Sequence, residues 1–462
     1  MTDGTEAISF GTDGWRAPLS EFTAARVRMV GQAVATHLSA ESNGGPVAVG
    51  YDARETSRGF AEELADVLAA NGLDVTIADR DCPTPVLAWT VAEGSFTGGL
   101  MITASHNPPE YNGVKFVPAD GAPALPPVTD DLEERLEPPE TGATTGESVT
   151  ERDLLDPYLD YARRFVDTDL SGLTVAYDAM HGSGRGVTDH LLSTAGATVE
   201  RFRCTRDPTF GGTPPEPGPE RVADLRERVE GGPAALGIIN DGDADRFGLV
   251  TPDRGYLDPN LLLAVLYEYL LERDDGDVVR TVSTSSLVDR VADAHGHRTH
   301  ETAVGFKWVA AAMGRNPTLA GGEESGGYGV TAHLRNKDGV LVALLAAAAH
   351  TDEPVDERTE RLLDEYGQVF QDRTSVDCPE PRKAAVLEEL DAALPSEIAG
   401  TAVAETNRLD GFKLVLADGS WLLVRPSGTE PKLRVYAEGE SESRVEELLA
   451  AGRELVSTHL NE

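Results

Sequence analysis

Short apolar runs alternate with segments of helical periodicity along most of this chain, and that alternation constrains its fold more than any other feature. In the first part of the sequence, residues 24–38 and 58–71 show the helical spacing of apolar side chains, whereas residues 47–50 and 75–78 are apolar runs of strand length. This order is typical of βαβ units, in which helices cover a largely parallel sheet. The alternation starts again near Asp153 and once more further on. The sequence therefore predicts successive α/β units built on doubly wound sheets.

The chain changes character after about residue 373. Two β-rich runs, 411–417 and 421–425, flank Asp418-Gly419, a dipeptide that favours a tight hairpin turn, and a further strand and a final helix follow. We therefore expect an α+β fold in this part and α/β folds before it. At 462 residues the chain is long enough for several domains. The predicted domains are residues 1–150, 151–255, 256–372 and 373–462.

Residues 118–150 stand apart from the segments on either side. They are rich in Pro, Thr, Gly and Glu and lack apolar rhythm. Such a composition favours an extended or linking segment, which we place at the end of the first domain.

The acidic residues outnumber the basic ones 79 to 40, which gives a formal net charge of −39. A charge of this sign and size argues against general nucleic-acid affinity and against binding to anionic membrane surfaces. The acids are spread between segments of good apolar periodicity, so the sequence indicates a globular protein with an acidic surface and not a disordered one. This pattern resembles that of proteins from salt-loving cytoplasms, and we expect a halophilic archaeal source.

Several features predict a cytoplasmic protein that does not span a membrane. The N-terminal residues have neither a basic flank nor an apolar core, and the longest apolar run, 340–349, is well short of the ~20 residues that a span needs. The cysteines, Cys82, Cys204 and Cys378, lie far apart in the sequence and beside no His cluster. That arrangement argues for a reducing compartment and against a zinc site.

A serine follows one of the predicted strands of the first domain. Residues 98–103 form a short apolar run, and the motif TASHNP (103–108) comes at its end, with prolines that exclude a helix. Ligands of open α/β sheets bind at the ends of strands. We therefore predict that Ser105 is an exposed serine that carries a phosphoryl or acyl group, flanked by His106 and followed by Lys115. An ordinary loop serine is the alternative.

An arginine near the N-terminus is a second candidate. The segment FGTDGWRA (10–17) places two glycines around an acid and then presents an aromatic residue and Arg16. We interpret it as a turn that aims Arg16, whose guanidinium suits a phosphate. A surface arginine without a ligand remains the alternative.

Three aspartates follow a predicted buried strand in the second domain. Residues 234–239 are that strand, and DGDADR (241–246) comes off its end. Carboxylates at this spacing converge only on an extended or looped backbone, and small residues between them leave room for a cation. Their oxygen atoms favour Mg²⁺ over zinc or copper. The alternatives are three solvated aspartates or an EF-hand loop, and the second fails because Arg246 and Pro252 occupy the positions of its glycine and glutamate.

Three glycine-containing loops complete the set of motifs. HGSGRG (181–186) has the spacing GxGxG, which does not match a dinucleotide fingerprint and indicates a structural turn. GGEESGGYG (321–329) surrounds two carboxylates and a hydroxyl with glycines, which suits a sugar, although a flexible loop is equally compatible. RPSGTEPK (425–432) places small residues with N–H groups between Arg425 and Lys432, which favours an anion nest over a simple β-turn.

Taken together, TASHNP, DGDADR, GEESGG and RPSGTEP occur in the order, and one per domain, that resembles the α-D-phosphohexomutase superfamily over essentially the whole chain. The resemblance implies three similar α/β domains with mixed sheets and a smaller C-terminal α+β domain, arranged around a central active-site cleft. It also implies an enzyme that interconverts sugar 1- and 6-phosphates through a 1,6-bisphosphate, with glucose 1,6-bisphosphate as intermediate and activator.

The resemblance assigns roles to individual residues. Ser105 would carry the phosphoryl group and, with Asp241, Asp243 and Asp245, would hold one Mg²⁺. The residues implied in proton transfer and charge stabilisation are Lys115, Arg16 and His106. The residues implied in substrate binding are Glu323 and Ser325 for sugar hydroxyls, Arg425, Ser427, Gly428 and Thr429 for the non-reacting phosphate, and Arg246. The expected partner is a phosphosugar, and the sequence leaves the oligomeric state open.

The sugar is the part that the resemblance assigns least firmly. Glu324 and Gly327 look like the phosphoglucomutase branch, so we expect glucose, with phosphomannomutase and phosphoglucosamine mutase as alternatives. Phe306 stands where some bifunctional members have a histidine, so a histidine role cannot be assigned there.

Two other classes of protein also have to be weighed. An aspartyl phosphohydrolase could use Asp241 as its nucleophile, but Asp245 stands where that pattern has Thr or Val, and Ser105 would be left unexplained. A non-catalytic sugar-phosphate sensor would keep the loops but would need neither a phosphorylated serine nor a metal.

Overall fold

The computed structural model describes residues 7–11, 14–41, 45–139, 149–428 and 430–460, and within these residues four sheets follow one another along the chain. Helices pack against each sheet. The α/β character of the first three units and the α+β character of the last agree with the fold predicted from the sequence.

The first sheet is mixed and has the strand order β1-β5-β4-β2-β3-β6. Its elements are β1 (Trp15–Pro18), α1 (Ala24–Ala40), β2 (Val47–Tyr51), α2 (Ser57–Ala70), β3 (Val75–Ala78), α3 (Thr84–Glu93), β4 (Gly98–Ile102), β5 (Tyr111–Pro118), α4 (Pro126–Glu134) and β6 (Val149–Arg152). β4, β2, β3 and β6 run parallel, β5 pairs antiparallel with β4, and the edge strand β1 pairs antiparallel with β5. β2 and β4 are buried along their whole length, as expected for strands with helices on both faces.

The second sheet has the order β11-β10-β9-β7-β8. Its elements are α5 (Leu155–Val166), β7 (Thr174–Asp178), α6 (Thr188–Thr194), β8 (Thr198–Phe202), α7 (Ala223–Glu230), β9 (Leu236–Asn240), β10 (Phe247–Thr251) and β11 (Gly255–Tyr256). β8, β7 and β9 are parallel, whereas β10 returns antiparallel to β9. That return places a tight loop between β9 and β10.

The third sheet has the order β13-β12-β14-β15. Its elements are α8 (Pro259–Leu271), β12 (Asp277–Thr281), α9 (Leu287–Ala294), β13 (Thr299–Thr302), α10 (Phe306–Met313), β14 (Thr318–Gly322), β15 (Tyr328–Val330), α11 (Gly339–Asp352) and α12 (Val355–Tyr366). The apolar run noted in the sequence forms α11, which is buried and begins at a cap where the Asp338 side chain accepts from the N–H groups of Val340 and Leu341.

The fourth sheet is antiparallel, with the order β16-β21-β20-β19-β18-β17. Its elements are β16 (Phe370–Asp377), α13 (Glu380–Ala392), β17 (Glu397–Ile398), β18 (Thr401–Asn407), β19 (Phe412–Leu416), β20 (Trp421–Pro426), β21 (Lys432–Gly439) and α14 (Glu442–Leu460). The predicted hairpin joins β19 to β20, and Gly419 in its turn has φ of 83°.

The apolar core is divided unequally among these units. One continuous cluster of buried side chains runs from Ile8 to Leu363 and unites the first three sheets. A separate cluster, from Cys378 to Val456, belongs to the C-terminal unit. A small apolar patch joins Val282 of the third unit to Trp421, Leu423 and Tyr436 of the last. The C-terminal unit therefore has a core of its own.

The interpretation of residues 118–150 as an extended or linking segment is wrong in part, because α4 lies within it. The helix begins with two prolines, which are tolerated in the first helical turn. Leu132 is buried, Val128 packs beside the core, and the Asp131 carboxylate lies 2.7 Å from His37 Nδ1. The apolar stripe of α4 is too short to show as a rhythm in the sequence. Residues 140–148 of that segment lie outside the described residues.

No helix in the part of the chain that the structure describes is both long and apolar enough to cross a membrane.

Candidate active site

The serine loop comes directly after β4, where the sequence predicted it. Ser105 has the left-handed φ of 51°, and its N–H donates to Thr103 Oγ1 at 2.8 Å. The prediction of an exposed serine is wrong, because Ser105 is 0% exposed. Its hydroxyl donates to Asp241 Oδ2 at 2.8 Å, so the loop of the second unit covers it. The serine is thus buried against the predicted metal loop.

Arg54, which the sequence analysis missed, fixes the backbone of the serine loop. It is buried, and its Nε donates to Asp52 Oδ2 at 3.0 Å. Its two terminal nitrogens donate to four carbonyl oxygens of the loop, those of Ser105, Asn107, Pro108 and Tyr111. The signal available was positional, because Asp52 and Arg54 follow β2, a central strand that ends at the same edge of the sheet as β4.

The three predicted aspartates converge in the loop between β9 and β10. Asp241, Asp243 and Asp245 are all buried, and one carboxylate oxygen from each lies within 4.8 Å of the others. The chain makes this turn because Ala244 takes a left-handed φ of 53° and its N–H donates to the Asp241 carbonyl oxygen. On a helix, this spacing would point the three side chains in different directions. The loop instead brings them together, as predicted.

Gly242 allows this loop to approach the serine loop closely. A Cβ atom at this position would lie 2.6 Å from the Ser105 carbonyl oxygen and 2.8 Å from Pro215 Cγ. Both distances are shorter than a van der Waals contact, so a larger residue would push the aspartates away from Ser105.

Two lysines and a threonine contact the Oδ2 atoms of Asp243 and Asp245. Lys115 Nζ lies 3.0 Å from Asp243 Oδ2 and 2.8 Å from Asp245 Oδ2. Lys337 Nζ lies 2.9 Å from Asp245 Oδ2, and Thr84 Oγ1 donates to Asp243 Oδ2 at 2.6 Å. The sequence analysis missed Lys337 and Thr84, which belong to other units.

The Oδ1 atoms of the same two aspartates have the character of cation ligands. Oδ1 of Asp243 and Oδ1 of Asp245 are buried and accept no hydrogen bond from the described part of the chain. Buried carboxylate oxygens without a donor are costly unless a cation neutralises them. A set of oxygen ligands of this kind fits a hard divalent cation.

The pKa values of these carboxyls are pulled in opposite directions. Burial, together with the charges of Asp243 and Asp245, raises the pKa of Asp241 well above its ordinary value. Burial also acts to raise the pKa of Asp243, but Lys115, Thr84 and Lys337 outweigh it and lower that pKa overall. Asp243 therefore keeps its negative charge beside the two lysines, whereas Asp241 accepts the hydrogen bond from the Ser105 hydroxyl.

His106 and Arg16 flank the serine. His106 Nδ1 lies 3.4 Å from Ser105 Oγ. Burial and the charges of Arg246 and Arg16 lower the pKa of His106 well below its ordinary value, so the imidazole is neutral near pH 7. Arg16 donates to Asn107 Oδ1 at 3.3 Å.

The interpretation of 10–17 as a turn that aims Arg16 needs correction. A turn does join Gly11 and Gly14, but Arg16 lies in β1, opposite Gly113 of β5. The pairing of the edge strand β1 with β5, which is distant in sequence, positions its side chain. Thr12 and Asp13 lie outside the described residues.

The predicted sugar loop is the turn between β14 and β15. Glu323 is buried, its N–H donates to the Gly327 carbonyl oxygen, and its Oε1 accepts from the Gly305 N–H at 2.8 Å. Burial and the neighbouring Glu324 raise the pKa of Glu323 to about 7. Ser325 is exposed, with its hydroxyl 3.5 Å from Glu323 Oε2. A buried and an exposed polar group thus lie side by side.

This loop touches the predicted metal loop through backbone contacts. Arg246 and Gly327 form an isolated β-bridge, and the Phe247 N–H donates to the Gly326 carbonyl oxygen at 3.0 Å. The Arg246 side chain lies 3.4 Å from Glu216 Oε1. Phe306 is buried at the start of α10 among apolar side chains, so it contributes packing at the position discussed above.

Gly327 is also a place of close contact. A Cβ atom there would lie 2.6 Å from Lys337 Cδ. The stem of Lys337 therefore occupies the space beside the loop, and a larger residue at 327 would require the Lys337 side chain to move.

The predicted anion nest between Arg425 and Lys432 is more closed than expected. The Ser427 N–H donates to the Lys432 carbonyl oxygen and the Glu430 N–H donates to Ser427 Oγ, so both donors are already used within the turn. Lys383 Nζ donates to the carbonyl oxygens of Ser427 and Glu430. Gly428 is exposed, and Thr429 lies outside the described residues. Within the described residues of this loop, Gly428 is therefore exposed, whereas Arg425 and Ser427 are buried.

Models of one protein family match the chain in four consecutive stretches. The descriptions are phosphoglucomutase/phosphomannomutase α/β/α domain I over residues 7–142, domain II over 156–255, domain III over 258–366, and the C-terminal domain over 374–455. Each stretch contains most of one of the four sheets, and β6 lies between the first two stretches.

Relatives align over nearly the whole chain. A Methanopyrus kandleri protein that carries the name probable phosphoglucosamine mutase is 34% identical over 447 residues, 95% of each chain. A Thermococcus kodakarensis protein named phosphoglucomutase/phosphomannomutase is 30% identical over 98% of this chain and 99% of its own. The crystal structure of a Thermus thermophilus protein described as a phosphomannomutase has a TM-score of 0.84, with 31% identity over 98% of this chain and 99% of its own.

Proposed function

Because the chain belongs to the phosphoglucomutase/phosphomannomutase family, we propose that it is a phosphohexomutase that interconverts hexose 1-phosphate and hexose 6-phosphate through a phosphorylated Ser105. The observation that carries the proposal is the contact of Ser105 Oγ with Asp241 Oδ2 at 2.8 Å, inside a buried group of three aspartates and two lysines. A hydroxyl in this environment is prepared to bear a phosphoryl group next to positive charge.

The reaction then runs in two transfers. The bond between Ser105 Oγ and phosphorus breaks while the free hydroxyl of the bound monophosphate forms a new bond to phosphorus, which gives a hexose 1,6-bisphosphate. The hydroxyl proton passes to a neighbouring group: neutral His106 can accept it, and Lys115 can do so only after its own proton has passed to one of the aspartates it contacts. The bisphosphate turns around, its other phosphoryl group passes to Ser105 Oγ, and the sugar oxygen that loses this group takes up the proton.

The remaining residues bind and orient the substrate. Arg16, beside the serine loop, stabilises the equatorial oxygens, and Glu323 with Ser325 receives sugar hydroxyls. Arg425, with Ser427, Gly428 and Thr429, grips the phosphate that does not react, and Arg246 lies next to the sugar loop. Mg²⁺ held by Asp241, Asp243, Asp245 and phosphoserine would supply further positive charge to the transferring phosphoryl group.

For the sugar, we propose glucose, as Glu324 and Gly327 suggested, with glucose 1,6-bisphosphate as the intermediate. Glucosamine is the second candidate, because the Methanopyrus kandleri relative carries the name phosphoglucosamine mutase. Ribose is also tested, because a Thermococcus kodakarensis relative that is 32% identical over 98% of each chain carries the name phosphopentomutase. Glucose 1-phosphate, mannose 1-phosphate, glucosamine 6-phosphate and ribose 1-phosphate, assayed side by side, decide between them. Glucose should have the highest kcat/KM, a preference for glucosamine would show that the interpretation of Glu324 and Gly327 is wrong, and a preference for ribose would contradict the hexose assignment.

The phosphoserine is tested by Ser105→Ala. The variant should keep the fold and lose turnover by ~10³–10⁶, since it lacks the group that carries the phosphoryl. Retention of more than about a thousandth of the wild-type rate would contradict the mechanism. His190→Ala, on α6 and outside the proposed site, serves as a control that should keep its activity.

Intact mass separates the proposal from the other classes of protein. A form heavier by about 80 Da, the mass of a phosphoryl group, should be present in the wild type and absent in Ser105→Ala. A sugar-phosphate sensor would carry no such form, and an aspartyl phosphohydrolase would keep its activity in Ser105→Ala.

A further inference from the structure

We propose that Asp410 is a positioning residue, which orients Arg425 toward the non-reacting phosphate and links it to the loop that supports Glu323. This inference rests on the proposed function, because it assigns a partner to a residue of that site. Asp410 lies between β18 and β19, whereas Arg425 lies in β20.

The first contact fixes the arginine. Asp410 Oδ2 accepts from Arg425 Nε at 2.9 Å, and the two side chains are only 17% and 10% exposed. The terminal nitrogens of Arg425 donate to no acceptor in the part of the chain that the structure describes. Because a bond at Nε fixes the plane of the guanidinium, both terminal nitrogens are left for one bidentate anion.

The second contact reaches the third unit through the same oxygen. Asp410 Oδ2 also accepts from the Val304 N–H at 3.1 Å. The next residue, Gly305, donates its N–H to Glu323 Oε1 at 2.8 Å. Gly305 has φ of 121°, a backbone conformation that favours glycine, and the two successive N–H groups meet different carboxylates. The segment between β13 and α10 is thus held by Asp410 at one residue and holds Glu323 at the next.

Other contacts of the hairpin formed by β18 and β19, in whose turn Asp410 lies, serve a different purpose. Asn407 Nδ2 and Lys413 Nζ both bond to the Glu301 carboxylate on β13, each at 2.6 Å. They attach the hairpin to the third unit without a hydrogen bond to Arg425 among the described residues. Asp410 combines attachment with a contact to a predicted phosphate ligand, which is why we assign it the positioning role.

Asp410→Asn tests the proposal, with Glu438→Gln as the matched control. Glu438 lies in the same interface between the last two units, where its carboxylate accepts from Ser286 and from Trp421 Nε1. Asp410→Asn should raise KM for the preferred monophosphate about tenfold and change kcat by less than about threefold. The reason is that the contact with the non-reacting phosphate stabilises the bound substrate and the transition state equally. Glu438→Gln should leave KM within about twofold of the wild type.

Two further variants connect the effect to the arginine. Asp410→Glu keeps the charge and should recover part of the lost KM. Asp410→Asn combined with Arg425→Lys should raise KM no more than Arg425→Lys alone, because the two changes remove one interaction. Melting temperatures recorded for every variant show whether a KM change reflects loss of the fold.

Two results would overturn the proposal. One is a KM within about twofold of the wild type in Asp410→Asn while Arg425→Lys raises it. The other is an equal rise in Glu438→Gln, which would mean that any weakening of the interface has this effect. Calorimetric titration with glucose 6-phosphate compares the same variants by Kd and needs no turnover. If the protein binds this ligand without converting it, the proposed reaction is refuted, but the Kd values still test the role of Asp410.

Discussion

The Glu323 carboxyl is buried under the turn between β14 and β15, and burial sets its acidity. Its pKa rises from 4.5 to about 7, because burial and Glu324 oppose the charged form more strongly than Lys337 and the Gly305 N–H favour it. The folded protein therefore binds a proton here that the unfolded chain releases near pH 4.5. The stability contributed by this proton is complete below pH 4.5 and is lost as pH rises through about 7.

Glu323→Gln should remove that pH dependence, since the amide stays uncharged. Each unit of pKa shift is about 1.4 kcal/mol, so the difference is on the order of 3 kcal/mol across the window. The melting temperature of the variant minus that of the wild type should rise between about pH 5 and pH 8. Glu324→Gln, which changes a half-buried neighbour, is the control and should show a smaller rise. A constant difference across the range would mean that Glu323 is ionised throughout.

Residue by residue, the sequence predicted the groups that lie in recognisable motifs and missed those that reach the site from elsewhere. Ser105, the three aspartates, Lys115 and Glu323 were found because strand ends and glycine spacing mark them. Thr84, Lys337 and Asp410 were missed, because each contacts a residue in a different unit of the fold. No local sequence pattern shows such a contact.

At the scale of elements, the serine loop depends on an arginine in a different connection of the same sheet. Arg54 lies between β2 and α2, and its guanidinium satisfies carbonyl oxygens that the short loop after β4 could not pair by itself. An irregular loop that is buried needs such a partner, because unpaired carbonyls in the interior are costly.

Arg54→Lys should therefore disturb the loop although it keeps the charge. An ammonium cannot reproduce the planar fork, so we expect a loss of about 2–4 kcal/mol in the free energy of unfolding and a fall in turnover of ~10² or more. Arg58→Lys is the matched control, since Arg58 is on the exposed face of α2 in an i,i+4 pair with Glu62 and should change stability by less than about 0.5 kcal/mol. Turnover of Arg54→Lys within about threefold of the wild type would contradict this role.

The elements themselves were predicted where periodicity is strong. The helices α1 and α2 and strands β2, β3 and β4 lie where the apolar patterns placed them. The short edge strand β1 and the short helix α4 were not predicted as such, because each is defined by pairing or packing with a distant segment. The domain boundaries given above remain predictions, with β6 straddling the first of them and β16 beginning at Phe370, ahead of the last.

At the scale of the whole molecule, the net charge of −39 opposes folding unless salt screens it. The Debye length falls from ~30 Å at very low ionic strength to ~3 Å near 1 M, so repulsion across a domain is reduced to that between near neighbours. We expect stability and activity to rise together with KCl from ~0.1 M to ~3 M, when circular dichroism and turnover are measured on the same samples. Full activity and an unchanged melting temperature at the low end would refute the prediction of a halophilic protein.

The separate core of the C-terminal unit has a consequence for the proposed bisphosphate intermediate. In the proposed reaction this intermediate must turn around, which needs room, and a rigid-body movement of the C-terminal unit would expose neither main core. The contacts it exchanges for water are mainly hydrogen bonds at Asp410, Glu301 and Glu438, with a small apolar patch around Trp421. Opening should therefore have a small heat capacity change, because little apolar surface becomes hydrated. The enthalpy of opening would then change little with temperature, so the logarithm of the open-to-closed ratio would be nearly linear in inverse temperature, whereas an anion that bridges the units would favour the closed form.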